Sequence, residues 1–564
     1  MAKRGDGATA DSGRIWLAEY MPGVPADIDP GVHASLADLL ETSCEKFREL
    51  PAFENMGVVL SYDDVDRLSQ DFASYLQNVV GLNKGDRVAV MMPNLLQYPI
   101  AVFGILRAGL VVVNVNPLYT PRELEHQMKD SGARAIVIVE NFASTLQQVI
   151  GSTSLETVIT TQVGDLAPFP KRLIANFVVK RVKKMVPPWN LPGSVPFRTA
   201  LARGKAQPYH RALLTHEDVA FLQYTGGTTG LSKGATLTHG NMVANLAQMH
   251  TWIGPLLTEG EDIVITALPL YHIFALTVNC LLFLRVGGKN VLITNPRDMP
   301  GFVKEMRRHR FTAFIGVNTL FNGLLHTPGF ETLDFSALRF TVGGGAAVQQ
   351  AVAEKWQAVT GAALTEGYGL SEASPGVCFS PMDKPDWNGT IGVPLPSTYV
   401  SLRDDDDKIV AAGEPGELCV KGPQIMRGYW NKPDETRQSF TGDGYLKTGD
   451  IAVVDACGYF RIVDRKKDMI LVSGFNVFPN EIENVVAMHP GVLECACIGV
   501  PDDKTGEAVK VFVVRKDLAL TADALREHCR QNLTGYKVPR AIEFRDALPK
   551  SNVGKILRKE LRDG

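Results

Sequence analysis

Tyr224-Thr-Gly-Gly-Thr-Thr-Gly-Leu-Ser-Lys-Gly-Ala235 is the stretch on which the reading of this chain turns. Small hydroxyl residues alternate with glycines, and a lysine closes the run. At Gly226, Gly227 and Gly230 the backbone can approach an anion closely and reach positive φ. Its N–H groups and the hydroxyls of Thr225, Thr228, Thr229 and Ser232 can cradle phosphate, with Lys233 as a point charge. The spacing is not that of a Walker-A loop, because Leu231 and Ser232 separate Gly230 from Lys233. An ordinary P-loop ATPase is therefore excluded, and the competing reading is a plain Gly/Thr turn.

Outward from this loop the first half alternates two patterns. Arg87 to Met92 and Ala133 to Val139 read as buried strands, while Pro99 to Ala108 and Pro121 to Ser131 have helical character. Ile263 to Pro269, Asn290 to Thr294 and Phe311 to Gly316 continue the series. Such alternation predicts an α/β protein, with parallel sheets covered by helices. After about Arg465 the pattern shortens and mixes: a helix over Pro479 to His489, strands over Leu493 to Val500 and Val509 to Val514, and a helix over Ala522 to Asn532. This predicts a separate α+β unit of about one hundred residues. At 564 residues the chain exceeds what one hydrophobic core supports.

Composition narrows the class. Charged residues make up 21% and the formal net charge is −3, which argues against a general nucleic-acid binder. The eight cysteines are scattered, and Cys495 and Cys497 form C-x-C without a His or Cys cluster. They read as free thiols in a reducing compartment. No signal peptide is expected over Met1 to Gly13, and no apolar stretch is long enough to span a bilayer. The expected location is cytoplasmic. Asp404 to Asp407 reads as a solvated hairpin turn, since adjacent carboxylates do not converge easily on one ion.

Further motifs give the loop a context. They are Val342-Gly-Gly-Gly-Ala346, Glu366-Gly-Tyr-Gly-Leu-Ser-Glu372, Tyr445-Leu-Lys-Thr-Gly-Asp450, Asp464-Arg-Lys-Lys-Asp468, Ser473-Gly-Phe-Asn-Val-Phe-Pro479 and Lys550-Ser-Asn-Val-Gly-Lys555. Together with the loop they resemble, in order and over most of the chain, the adenylate-forming superfamily of acyl- and aryl-CoA synthetases, luciferases and adenylation domains. The resemblance is greatest to bacterial long-chain fatty acid–CoA ligases. It implies a large N-terminal domain of helix-covered sheets over 1–464, a hinge over 465–467 at Lys467, and a small mobile C-terminal domain over 468–564.

It also implies roles. Gly344 and Gly345 lie against adenine, as do Glu366, Gly367, Tyr368 and Gly369, with Tyr368 stacked on the base. Ser371, where the family usually has Thr, contacts the α-phosphate, and Glu372 holds Mg²⁺. Asp450 accepts from the ribose hydroxyls, which suits a carboxylate facing a vicinal diol, and Arg465 also reaches the ribose. Lys555 completes adenylation. The domain then rotates, and the Ser473–Gly474 loop enters for transfer to CoA. The implied substrates are a long-chain fatty acid, ATP and CoA, and a homodimer is implied by the same resemblance. In Leu268-Pro-Leu-Tyr-His-Ile-Phe-Ala275, His272 is expected at the carboxylate end of the acyl pocket, against the alternative of a packed core histidine. Phe274, Val317 and Asn318 are weaker candidates for that pocket.

Chain length is not fixed by the motifs. Each buried methylene contributes about 0.8 kcal/mol, so length selectivity depends on pocket depth. Lys171 to Trp189 bears on it separately. It carries Lys171, Arg172, Lys180, Arg181, Lys183 and Lys184 with no acidic residue, and its apolar residues recur at helical spacing. The pattern fits an anionic membrane surface, the cytoplasmic face of an inner membrane, or an ordinary helix packed on the large domain. Among other classes, a luciferase-like oxygenase or a peptide-synthetase adenylation module shares the first step. A binding protein without activity would have lost Lys555, Glu372 or Asp450, and all three are present.

Overall fold

The computed structural model describes residues 13–225, 232–384, 387–411, 413–473, 475–502, 504–551 and 554–563. Two large sheets form the body. In the first, Arg87–Met91 lies between Val111–Asn114 and Ala135–Val139, with Thr157–Thr161 beyond, all parallel. These strands are apolar on both faces, as a sheet covered on both sides requires. Val219–Thr225 joins parallel to Val111–Asn114. Lys233–Thr238 then returns antiparallel to it, and the short strand Gly428–Tyr429 pairs beyond that. The second sheet has nine strands, with a parallel centre that includes Ile263–Thr266, Ala313–Gly316, Phe340–Gly344 and Leu364–Gly369.

The largest core lies between these sheets and is filled by helices such as Gln97–Arg107, every residue of which is buried. Local sequence explains where helices begin. Thr120 and Glu123 form a capping box with Pro121 at the first turn, and Ser61 with Asp64 does the same for Tyr62–Ser74. A four-stranded antiparallel sheet, Tyr399–Arg403, Gly416–Lys421, Leu446–Val454 and Phe460–Arg465, carries the chain to the end of the large body.

Beyond Arg465 the chain builds its own five-stranded sheet, centred on Val492–Asp502 and Gly506–Arg515. Helices Pro479–Ala487 and Ala522–Asn532 cover a separate core containing Ile482, Val511 and Leu525. The expected small α+β unit is thus present, and its first helix stops two residues sooner than His489. All eight cysteines are free. Asp404 to Asp407 is a turn between Arg403 and Ile409, and its carboxylates meet lysines: Asp405 meets Lys466, Asp406 meets Lys408, and Asp407 meets Lys447.

The basic segment is shorter as a helix than expected. The α-helix is Lys171–Phe177, it continues as a wider turn over Val178–Val182, and it ends where Lys184 takes a positive φ of 52°. Part of its apolar side is exposed, Phe169 by 74%, Phe177 by 61% and Val182 by 64%, whereas Val178 and Val186 are half-buried and Asn176 and Lys180 bind Gln162 and Glu140 of the large body. No helix among the described residues is long and apolar enough to cross a membrane.

Candidate active site

The phosphate-loop stretch joins two antiparallel strands, with Thr225 opposite Lys233. This differs from a P-loop, in which the glycine-rich turn runs from a strand into a helix. Gly226, Gly227, Thr228, Thr229 and Gly230 lie outside the described residues; the flanks do not. The Ser232 carbonyl lies 2.8 Å from the His126 ring. Lys233 Nζ pairs with Glu435 at 2.6 Å and sits 4.7 Å above the Tyr429 ring. Across the cleft, Glu372 Oε1 accepts from the Tyr429 hydroxyl at 2.8 Å and the Thr225 hydroxyl at 3.4 Å. Ser371 and Glu372 lie in the 3-10 turn that follows strand Leu364–Gly369.

The segments expected to face the nucleoside lie at the ends of neighbouring strands. Gly344 pairs with Gly367, and Gly345 has a φ of 73°. A Cβ on Gly344 would lie 2.9 Å from the Phe274 ring and 3.0 Å from the Gly367 carbonyl, so only glycine fits there. Phe274 therefore packs on the segment expected to face adenine. The Glu366 carboxylate accepts from Val348 N at 3.2 Å, and burial pushes its pKa up to about 8. It holds the loop after Gly345 and points away from a purely electrostatic role. The Tyr368 hydroxyl donates to Asp450 at 2.6 Å, and Arg465 Nε meets the other Asp450 oxygen at 2.9 Å. Asp450 raises the pKa of the Arg465 guanidinium further.

Lys555 comes from the small unit. Ser551 and Lys555 close a turn, with Ser551 N donating to the Lys555 carbonyl at 2.7 Å. Thr319 of the large body donates to the Gly554 carbonyl at 2.8 Å. Burial and the nearby Arg465 charge lower the Lys555 pKa to about 8, against a partial opposing effect of Asp450. Burial, and in addition the Lys555 charge, bring the His272 pKa down to about 4, so its imidazole is neutral at pH 7. His272 Nδ1 accepts from Phe274 N at 3.3 Å and caps the short helix behind it. The structure thus brings Lys555, His272, Phe274, Asp450, Arg465, Tyr368 and the Gly344 segment to one cleft. Val317 also borders it: a Cβ on Gly554 would lie 3.2 Å from Val317. Asn318 accepts from Gln349 N at 3.0 Å and so braces the loop after Gly345.

Two groups were not legible as site residues. Tyr429 lies in a two-residue strand, too short for periodicity to mark. Arg558 ties Asp464 at 3.2 Å, Glu483 at 2.8 Å and Asn480 at 2.6 Å, joining the segment before Lys467 to the helix Pro479–Ala487 and to the lysine turn. Asp464 is fully buried, and burial lifts its pKa to about 6 despite Arg558. Burial also lowers the Lys467 pKa. Ser473 is exposed with a φ of 53°, and Gly474 lies outside the described residues.

A divalent cation is implied by the resemblance, and the donor set fits it. Among the described residues both side-chain hydrogen bonds to the Glu372 carboxylate use Oε1, and the chemistry of Oε2 suits a hard cation. Mg²⁺ is commonly held by one or two carboxylates plus substrate phosphates. Among the described residues the one three-donor cluster is Glu54, Glu305 and His309, and Lys289 and Arg308 already pair with its carboxylates.

The strands flanking the glycine- and threonine-rich stretch, a carboxylate held by a tyrosine and an arginine, and a buried lysine from a second unit are the positions expected to handle a nucleotide. Residues 40–430 match the AMP-binding enzyme family and residues 481–555 match the AMP-binding enzyme C-terminal domain; the chain belongs to this family. It is 59% identical to the long-chain-fatty-acid–CoA ligase of Escherichia coli O6:H1 over 550 residues, 98% of each chain. It is 37% identical over 555 residues to the protein of that name from Bacillus subtilis, again 98% of each. Its fold also matches the crystal structure of the anthranilate CoA ligase AuaEII with anthranoyl-AMP, at TM-score 0.84 and 25% identity, covering 95% of this chain and 98% of that one.

Proposed function

We propose that this chain is a long-chain fatty acid–CoA ligase, converting ATP, a fatty acid and CoA to acyl-CoA, AMP and pyrophosphate. The observation that carries the reading is that the lysine turn of the small unit is held to Thr319 of the large body, which buries Lys555 within the electrostatic reach of Asp450, Arg465 and His272. In the first half-reaction a carboxylate oxygen attacks the α-phosphorus, the bond to the β-phosphate oxygen breaks, and pyrophosphate leaves. Two anions must approach, so charge stabilisation and positioning do most of the work. Lys555 supplies an ammonium at the reacting end, and Lys233 supplies one toward the leaving phosphates. Asp450, Arg465 and Tyr368 hold the nucleoside. Neutral His272 lines the carboxylate end without adding a competing charge. Mg²⁺ bound at Glu372 would neutralise phosphate charge.

In the second half-reaction the CoA thiolate attacks the acyl carbonyl and AMP leaves with the bonding electrons. The small unit, 468–564, is proposed to turn about 465–467, withdrawing Lys555 and presenting the Ser473–Gly474 loop. The arrangement described here, with Lys555 in the cleft, suits the first step.

A peripheral contact with an anionic bilayer is part of the reading. Phe169, Leu173, Ile174, Phe177, Val182 and Met185 are all exposed. Lys171, Arg172, Arg181, Lys183 and Lys184 border them, and no ion-pair partner for these five occurs among the described residues. Replacing all five with Gln is expected to weaken binding to vesicles containing phosphatidylglycerol by about a thousandfold, since each cation near such a surface contributes ~1 kcal/mol. Unchanged vesicle binding would remove the contact from the proposal. The substrate is tested by AMP formation with straight-chain acids of about two to eighteen carbons, where burial of each methylene should register. A maximum among long chains supports the assignment; a maximum at short or aromatic acids overturns it.

A further inference from the structure

Lys233 already has an anionic partner. Glu435 Oε2 lies 2.6 Å from its Nζ, and no other ion pair of Glu435 occurs among the described residues. The geometry is held from both sides. Lys233 begins the strand Lys233–Thr238, and the Gly428–Tyr429 strand pairs with that same strand, Tyr429 opposite Ala235. Trp430 N continues the register by donating to the Gly234 carbonyl at 2.8 Å. The helix Pro433–Gln438, which carries Glu435, is tied back by Tyr429 N donating to the Thr436 hydroxyl at 2.9 Å. The reach from Glu435 to Lys233 is therefore set by backbone pairing and not by a free loop.

The same segment touches the other charged group of the phosphate side. The Tyr429 ring lies under the Lys233 ammonium, and its hydroxyl holds Glu372. Removing a phosphate group from the cleft leaves Lys233 facing Glu435 and Tyr429, not water alone. Neighbouring Asp434 does not share this role: it is directed to Arg437, three residues on, at 2.7 Å.

We propose that Glu435 is an intramolecular counterion that competes with the polyphosphate for Lys233, and so sets how tightly ATP and pyrophosphate are held. The proposal rests on the adenylation reading above. Glu435 neutralises part of the Lys233 charge, and its carboxylate repels a polyphosphate brought to the same ammonium. ATP therefore reaches Lys233 at the cost of weakening that pair, which re-forms as pyrophosphate departs. That cost enters both dissociation constants by the same factor. With side-chain exposures of 26% and 41%, the pair is well screened. A pair of that kind shifts an equilibrium by about three- to fivefold. The effect is useful in this direction: pyrophosphate that lingers reverses the first half-reaction, and a built-in competitor speeds its loss.

The test is titration calorimetry of the full chain with MgATP and with magnesium pyrophosphate. The Glu435→Gln variant is expected to bind both about three- to fivefold more tightly than the unaltered chain, with stronger pyrophosphate inhibition of AMP formation. Asp434→Asn removes the same charge one residue away and is expected to change neither constant by more than about 1.5-fold. In a Lys233→Gln background, adding Glu435→Gln is expected to have no effect, because the ammonium under competition is gone. Unchanged or weaker binding by Glu435→Gln overturns the proposal. An equal tightening by Asp434→Asn also overturns it, since the effect would then be general charge. Failure of the unaltered chain to bind MgATP would instead sink the adenylation reading, and this proposal with it.

Discussion

Raising the pH above 8 is expected to suppress the first half-reaction and spare the second. Lys555 is the group responsible, since burial and the adjacent Arg465 bring its pKa down to about 8. Its ammonium form is the one that stabilises charge at the reacting phosphate, and that form is populated below this pKa. The protonated fraction then falls from about nine-tenths at pH 7 to about one-tenth at pH 9, so activity that needs it should fall roughly tenfold. The assay is pyrophosphate release without CoA, with kcat/KM for ATP measured from about pH 6 to pH 9.5, because kcat/KM reports the free enzyme. The limb in kcat should lie higher, since bound triphosphate is anionic and favours the ammonium. The second half-reaction, started from isolated acyl-adenylate and CoA, should instead rise with pH as the thiol, near about 8.5, ionises. A flat kcat/KM profile up to pH 9.5 would refute the reasoning. So would a falling limb of equal size in the second half-reaction, or one that survives in Lys555→Gln.

Asp450→Ala removes the partner of both Tyr368 and Arg465. It is expected to lower kcat/KM for ATP about tenfold to a hundredfold, from the loss of hydrogen bonds to a charged group. In this variant 2′-deoxy-ATP should be used about as well as ATP, and a full preference for ATP would place ribose recognition elsewhere. Arg558→Gln strips the cation from buried Asp464 and from Glu483. Breaking one side of such a cluster costs about 3–5 kcal/mol, so the small unit should unfold at lower urea concentration than the large one in hydrogen-exchange measurements. Coincident, unshifted melting of both units would show the cluster to be dispensable.

Much of this was legible from local pattern. Helix Ala522–Asn532 has the predicted bounds because Thr521 caps it, accepting from Ala524 N, and the pattern needs no tertiary help. The α/β centre was legible because strands buried on both faces are written as unbroken apolar runs. The basic segment was overextended, since helical spacing persists past Val182 while Lys184 at positive φ and Pro187–Pro188 end the helix. The site divides in the same manner. Glycine-rich and charged motifs announce Thr225, Lys233, Glu372, Asp450 and Lys555, because their chemistry is concentrated in short stretches. Tyr429, Glu435 and Arg558 act through partners far off in the chain, such as Asp464, which is 94 residues before Arg558. No spacing rule reports a contact that only the fold creates.

The seat of Lys555 also says how the two half-reactions could share one cleft. The small unit meets the large body through neutral polar contacts, Thr319 to the Gly554 carbonyl and Asn322 to the Leu493 carbonyl, and through buried Asp464, which accepts from Asn480 N and pairs with Arg558. Each neutral bond contributes only about 0.5–1.5 kcal/mol net. Against these contacts stands the cost of placing an ammonium in a buried site already holding Arg465, which is why its pKa falls. The docked position is thus a balance between these attractions and a charge penalty. An anionic triphosphate relieves that penalty and favours docking. Loss of pyrophosphate restores it and favours release. A ligand shifts such an equilibrium only by its differential affinity for the two states, and here the differential is the phosphate charge itself. On the proposed rotation, the substrate that needs Lys555 would be the one that recruits it, and its departing product would let the small unit go.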